Sequence, residues 1–184
     1  MNPAAPVFIR PLAESDAIQL QDLKRRNRDF FAPYEPLRPD SYFTLETQLE
    51  TIRRARLAWD DGSQYSFAVF ETETGAVVGQ ISLSNVVRGA WQSCTIGYSI
   101  DRQANGRGYG TAATLQALQF AFESAKLHRV QAAVMPYNPG SLRVIEKCGF
   151  LYEGLARYYL NIHGRWQDHK IFSRTVELWR PDAG

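Results

Sequence analysis

Three glycines at alternate positions, Gly106, Gly108 and Gly110, stand between a β-like run and a helix-like run in "SIDRQANGRGYGTAA", Ser99 to Ala113. No other stretch of the chain restricts its fold as strongly. A glycine-dense strand-to-helix turn serves an anion: the missing side chains let backbone N–H groups close on phosphate oxygens, and the helix N-terminus supplies partial positive charge. Two phosphate loops are excluded by their neighbours. A P-loop ends in Gly-Lys-Ser/Thr, whereas Gly110 is followed by Thr111 and Ala112. A dinucleotide fingerprint spaces its glycines differently and needs an acid about 20 residues on to hold a ribose. The following β-like run, "RVQAAVM" from Arg129 to Met135, carries none.

Around this turn the hydrophobic pattern predicts an alternation of strands and helices. Val7 to Leu12 reads as a strand, and Ser15 is positioned to cap a helix carrying Ile18, Leu20 and Leu23. A proline-broken, aromatic loop, Phe31 to Asp40, precedes a second helix over about Leu45 to Trp59. Three strands, "SQYSFAVFE", "AVVGQISLSNVV" and "WQSCTIGYSI", then form an antiparallel meander. The helix after the glycines places Leu115, Leu118, Phe122 and Ala125 on one stripe that covers a sheet. The strand Arg129 to Met135 follows this crossover and so lies parallel to its predecessor. A short helix from Ser141 to Cys148 stops at Gly149, and two long strands flank "NIHGRW".

The 184 residues suit a single domain, 1–184, with 45% hydrophobic and 22% charged residues. A net charge of +2 gives no field that argues for nucleic acid, and the basic run "KRRNR", Lys24 to Arg28, reads as a solvated helix face. Cys94 and Cys148 stand apart from each other, and His128, His163 and His169 sit at no ligand spacing, so no metal is expected. No leader or membrane span is evident. A cytoplasmic location is the expectation.

What remains of the turn is Gln103-x-x-Gly106-x-Gly108, and this resembles the pyrophosphate loop of the GCN5-related N-acetyltransferases, which bind acetyl-coenzyme A. A second motif agrees: "NPGSLRVIEKCGF", Asn138 to Phe150, is similar to that family's Asn-x-x-Ser followed by a helix ending in Glu-Lys-x-Gly-Phe. Within the family, "FFAPYEPLR", "SNVVRGAWQSCTIGYSID" and "GRWQDH" resemble the ribosomal-protein-alanine N-acetyltransferases of the RimJ/RimL type, over Ile9 to Val176. The resemblance implies an α/β (α+β) acyl-CoA N-acyltransferase fold: a mixed, mostly antiparallel sheet, splayed at its parallel strand pair and flanked by helices.

The resemblance also assigns candidate residues. Gln103, Gly106, Gly108 and Gly110, with the N–H groups of Asn105, Arg107, Tyr109 and Thr111, would wrap the pyrophosphate, while the Arg107 side chain either reaches a phosphate or points into water. Tyr98, Ser99 and Ile100 would pair through their backbone with the pantetheine arm. Asn138 either donates across that slot or only forms a turn, and Ser141 is a helix N-cap, a hydroxyl within reach of the leaving thiol, or both. Tyr98, Ser141 and Glu35 are the candidate catalytic residues, with Glu35 as base, directly or through water, against the alternative of a surface carboxylate. Tyr34, Glu35, Trp91, Tyr158 and Trp166 are candidates for the acceptor side, although sheet aromatics also serve as packing. His169, beside Asp168, is a further candidate for proton transfer.

The acceptor is expected to be a protein N-terminal α-amine, a ribosomal protein among the candidates. A small amine such as an antibiotic, polyamine or aminoacyl nucleotide is the enzymatic alternative, and a ribosome-assembly factor that acts by binding is the non-enzymatic one. A monomer or homodimer is compatible with all three.

Overall fold

The computed structural model describes residues 6–179. The first five residues of the N-terminal segment read above for a leader lie outside that range. Seven strands are present among the described residues: β1 (Val7–Pro11), β2 (Tyr65–Glu71), β3 (Val77–Val87), β4 (Ser93–Ile100), β5 (Arg129–Val134), β6 (Leu151–Ile162) and β7 (Arg165–Thr175). They form one sheet in the order β1-β2-β3-β4-β5-β7-β6. The expected meander is β2-β3-β4, and β4 and β5 are the parallel pair. A parallel neighbour cannot be reached by a hairpin, so the chain crosses over through α4 (Tyr109–Gln119).

Helices cover both faces. Successive residues of β2 alternate between them: Phe67 and Val69 join the core beneath α4 and α5 (Pro139–Lys147), and Ala68 and Phe70 join the core beneath α1 (Ala17–Arg26) and α3 (Leu45–Asp60). A single turn of helix, α2 (Arg28–Phe31), opens the proline-broken loop. No helix among the described residues is long and apolar enough to cross a membrane.

Two details of the sequence reading need correction. Ser15 does not cap α1; it lies in a 3-10 turn, Glu14–Asp16, where buried Asp16 accepts from the Ala13 N–H at 2.9 Å and from Arg10 at 2.6 Å. A carboxylate with an arginine partner holds the entry to the helix better than a neutral hydroxyl. The stripe of α4 is also different. Leu118, Phe122 and Ala125 are buried, but Leu115 is exposed, and the face against the sheet is Ala113, Ala117 and Ala121 at four-residue spacing. These small side chains bring the helix close to the strands, and the last turn, Phe120–Ser124, widens into a π-helix that places Phe120 among Trp59, Tyr65 and Phe67.

The alanine face gives a direct test. Ala117→Leu should lower stability by about 1–3 kcal/mol in urea unfolding, because the added volume meets a packed sheet. Ile18→Ala, on the exposed side of α1, should change it by less than about 0.5 kcal/mol.

Candidate functional site

The parallel pair is short. β4 and β5 are joined only from Ser93 opposite Arg129 to Ile96 opposite Ala132. Beyond it β4 continues along β3 to Ile100 and β5 along β7 to Val134, so the facing edges of 97–100 and 133–134 have no partner strand. Unpaired backbone N–H and C=O groups on parted strands form a slot for an extended, amide-bearing ligand. Tyr98, Ser99 and Ile100 make one wall of it. β3 can hold this wall because Gly79 lies opposite Ile100, where an added Cβ would stand 2.4 Å from the Ser99 carbonyl oxygen.

The glycine turn follows directly. Gly106 and Gly108 both have φ of +80°, and Gly108 caps α4. An L side chain in that conformation costs about 1–2 kcal/mol. Space over both glycines is open, with nothing within 4 Å of a Cβ built at either. A glycine cap has no side chain to satisfy the first-turn N–H groups of Tyr109, Gly110 and Thr111. These donors, at the positive end of an 11-residue helix beside the slot, fit a pyrophosphate.

Other members of the turn do different work from that expected. Gly110 makes room for packing, since a Cβ there would meet Val144 Cγ2 of α5 at 3.2 Å. The Arg107 guanidinium neither reaches toward the helix N-terminus nor points freely into water: it pairs with Glu71 at 2.8 Å and lies over the Tyr109 ring, whose hydroxyl also donates to Glu71. The Asn105 N–H is already donated to the Arg102 carbonyl at 3.3 Å and the Gln103 N–H to Asp101 at 3.1 Å.

The basic run is also corrected. Buried Asp101, directly before the turn, accepts from Arg26 at 2.6 and 2.9 Å and from Asn27 at 3.1 Å, and the Asn27 side-chain oxygen accepts from the Arg102 N–H at 2.9 Å. Lys24 and Asn27 are buried, whereas Arg25, Arg26 and Arg28 are exposed, so "KRRNR" is a solvated face only in part, and its inward residues are structural. Burial pushes the Asp101 carboxyl upward, but the bonds from Arg26, Gln103 and Asn27 outweigh it and hold the group below its ordinary range.

Across the slot, Asn138 caps α5, its Oδ1 accepting from the Ser141 N–H at 3.1 Å. Ser141 is therefore not the N-cap. Its hydroxyl bonds the Tyr98 phenol at 2.8 Å, spanning β4 and α5. Burial, only partly offset by that bond, pushes the Tyr98 phenol well above its ordinary range, so it stays protonated.

A cavity of about 700 Å³ opens on the parted end of β4, lined by Gly97, Tyr98 and Ser99, by Gln80 and Ser82 of β3, and by Lys24, Glu35, Arg38 and Tyr42. Glu35 is placed here by its carbonyl, which accepts from the His163 N–H at the β6–β7 turn at 2.9 Å. Its carboxylate faces Arg38 Nε at 3.6 Å. Of the residues predicted for the acceptor side, Glu35 alone lines the cavity. Tyr34 stands outside it, Trp91 lies at the opposite end of β4, and Tyr158 and Trp166 are exposed on the β6–β7 hairpin. His169 is buried against Tyr159, its Nδ1 is 3.0 Å from the Gln167 carbonyl oxygen, and burial lowers its pKa, so it is a neutral packing group. Lys24 and Tyr42 were missed. The signal was in the helical phase: Leu20, Leu23, Lys24 and Asn27 share one face of α1.

The Acetyltransferase (GNAT) domain family matches residues 7–151. This chain is a GNAT acetyltransferase. It is 39% identical over 167 residues to the probable N-acetyltransferase YjcK of Bacillus subtilis (strain 168), covering 91% of this chain and 92% of that protein. It is 32% identical over 175 residues to the [ribosomal protein uS5]-alanine N-acetyltransferase of Escherichia coli (strain K12), covering 95% and 90%. The structure superimposes on the ribosomal-protein-S5-alanine acetyltransferase from Vibrio fischeri with a TM-score of 0.89 at 31% identity, covering 96% of each chain. Mycobacterium smegmatis RimJ in complex with CoA-disulfide gives 0.89 at 30% identity, covering 93% of this chain and 82% of that one. The GNAT enzyme transfers acetyl groups from acetyl-coenzyme A to nitrogen.

Two variants test this site. Gly108→Ala should weaken acetyl-coenzyme A binding at least about tenfold in calorimetry while the melting temperature falls by only a few degrees. Because the Asp101 carboxyl is held low in the folded state, its contribution to stability is complete above about pH 4 and is lost on further acidification. The stability gap between the wild-type protein and Asp101→Asn should therefore narrow as urea unfolding is repeated at falling pH.

Proposed function

We propose that the acceptor is the α-amine of a protein N-terminus, a ribosomal protein by likeness to the uS5-alanine acetyltransferase of Escherichia coli, and that it attacks directly in a ternary complex. The observation that carries this reading is the cavity itself, which meets the unpaired edge of β4 at Gly97–Ser99 and is faced by the Glu35 carboxylate. Acetyl-coenzyme A supplies a thioester carbonyl, and the chain supplies everything that holds and polarises it. Unpaired N–H groups of the β4 edge orient the donor and favour negative charge on the carbonyl oxygen. Glu35 takes a proton from the acceptor ammonium, directly or through water. In this reading the Tyr98 phenol, protonated and bonded to the Ser141 hydroxyl, gives a proton to the departing sulfur, directly or through that hydroxyl.

An α-amine suits this arrangement because its reference pKa lies about two to three units below that of lysine, so less proton removal is demanded near neutrality. The same reading treats the chain as one catalytic domain working in the cytoplasm, and its two free cysteines, both buried and pushed up to about 12, suit a reducing compartment.

Glu35→Gln should lower kcat by about 10²-fold or more, with acetyl-coenzyme A affinity nearly unchanged. In thiol-release assays, peptides beginning with alanine should outperform the same peptides carrying a blocked N-terminus and an internal lysine, as well as spermidine and aminoglycosides. Better turnover of the blocked peptides or the small cations would refute the N-terminal assignment.

A further inference from the structure

Charge in the acceptor cavity is unbalanced. Three cations line it, Lys24, Arg38 and Arg54, against one carboxylate, Glu35. Two of the cations are already engaged: Arg38 faces Glu35 at 3.6 Å and Arg54 faces Glu50 at 3.3 Å. Lys24 has neither an ion pair nor a hydrogen bond among the described residues, yet it is only 8% exposed. Its ammonium lies over the Tyr42 ring, 4.7 Å from the centroid, and the residue is part of the cavity wall.

A lysine whose side chain is mostly buried and whose ammonium has no hydrogen-bond partner in the protein is costly to hold, and the quadrupole of one aromatic ring returns only part of that cost. Burial lowers the Lys24 pKa to about 8, against the attraction of Glu35, so the group still carries its charge at neutral pH. It is a cationic donor with no hydrogen-bond partner in the protein, in the wall of the space where the acceptor would sit.

We propose that Lys24 is an anion-recognition point, and that the enzyme selects acceptors with a negatively charged group close to the amine. For a protein N-terminus, this is an Asp or Glu side chain within the first few residues. The identity of that source rests on the N-terminal reading; the charge preference does not. A carboxylate reaching Lys24 gains a charge-assisted hydrogen bond in a sheltered site. A polycation brings further positive charge to a cavity that already holds an unneutralised one.

The test uses peptides with N-terminal alanine that differ only in having Glu or Ser at the second, third or fourth position, assayed with the full chain. The wild-type enzyme should prefer Glu at one of these positions by about tenfold or more in kcat/KM, chiefly through KM. Lys24→Met should bring that ratio close to one, and Lys24→Arg should keep most of it. A wild-type ratio near one at all three positions overturns the proposal, whether or not the variants fold, and so does a preference undiminished in Lys24→Met. An aminoacyl nucleotide analogue with its phosphate and the matching nucleoside without it form a second pair, with spermidine alongside. Preference for the phosphate compound over peptides, with the same dependence on Lys24, upholds the anion site and refutes the N-terminal source. Turnover of spermidine in preference to every anionic acceptor refutes both.

Discussion

Beyond Ile96 and Ala132, β4 and β5 share no hydrogen bonds, and the rest of the molecule is arranged around that parting. Each strand keeps its outer neighbour, so the sheet stays whole at its flanks while opening at its centre. Gly79 permits β3 to hold β4 closely at the open end. The Tyr98–Ser141 bond then ties β4 to α5, the helix that follows β5, so the two sides are joined by side chains where the backbone is not. An opening of this kind leaves polar backbone unsatisfied, and a ligand with amides of its own is the group best able to satisfy it.

Helix α1 connects the two halves of the chemistry. Lys24 lines the cavity, while Arg26 and Asn27, two and three residues later, grip Asp101 at the base of the glycine turn. Glu71, at the end of β2, holds the same turn from its other side through Arg107 and Tyr109. The glycines at 106 and 108 therefore have conformational freedom available to them but stand in a turn fixed at both ends. A rigid, pre-formed set of donors loses less on binding than one that must first be ordered.

Much of this was legible in the sequence because local chemistry decided it. The spacing of Gly106 and Gly108, the alternation in the strands and the crossover helix each follow from backbone sterics or hydrophobic period, and the seven strands and the parallel pair appear as expected. Long-range partners were not legible. Nothing local to Arg107 announces Glu71, and nothing in "KRRNR" announces Asp101, which is more than seventy residues away in the chain. Charge was read as solvation when a helical phase count through Leu20 and Leu23 would have placed Lys24 and Asn27 inward. The position of the acceptor-side aromatics was hidden for a related reason. Trp91, Tyr158 and Trp166 have the chemistry of a binding wall, but strand register puts them at hairpin ends and on an edge strand, outside the residues that line the cavity at Gly97.

Amide hydrogen exchange, followed with and without acetyl-coenzyme A, tests the parted strands most directly. The account predicts new protection in peptides covering 97–100 and 106–111, with β2 and β3 protected equally in both states because they are fully paired already. Unchanged exchange at 97–100 under saturating acetyl-coenzyme A, or protection confined to another part of the molecule, would contradict the claim that the opening between β4 and β5 is the donor site.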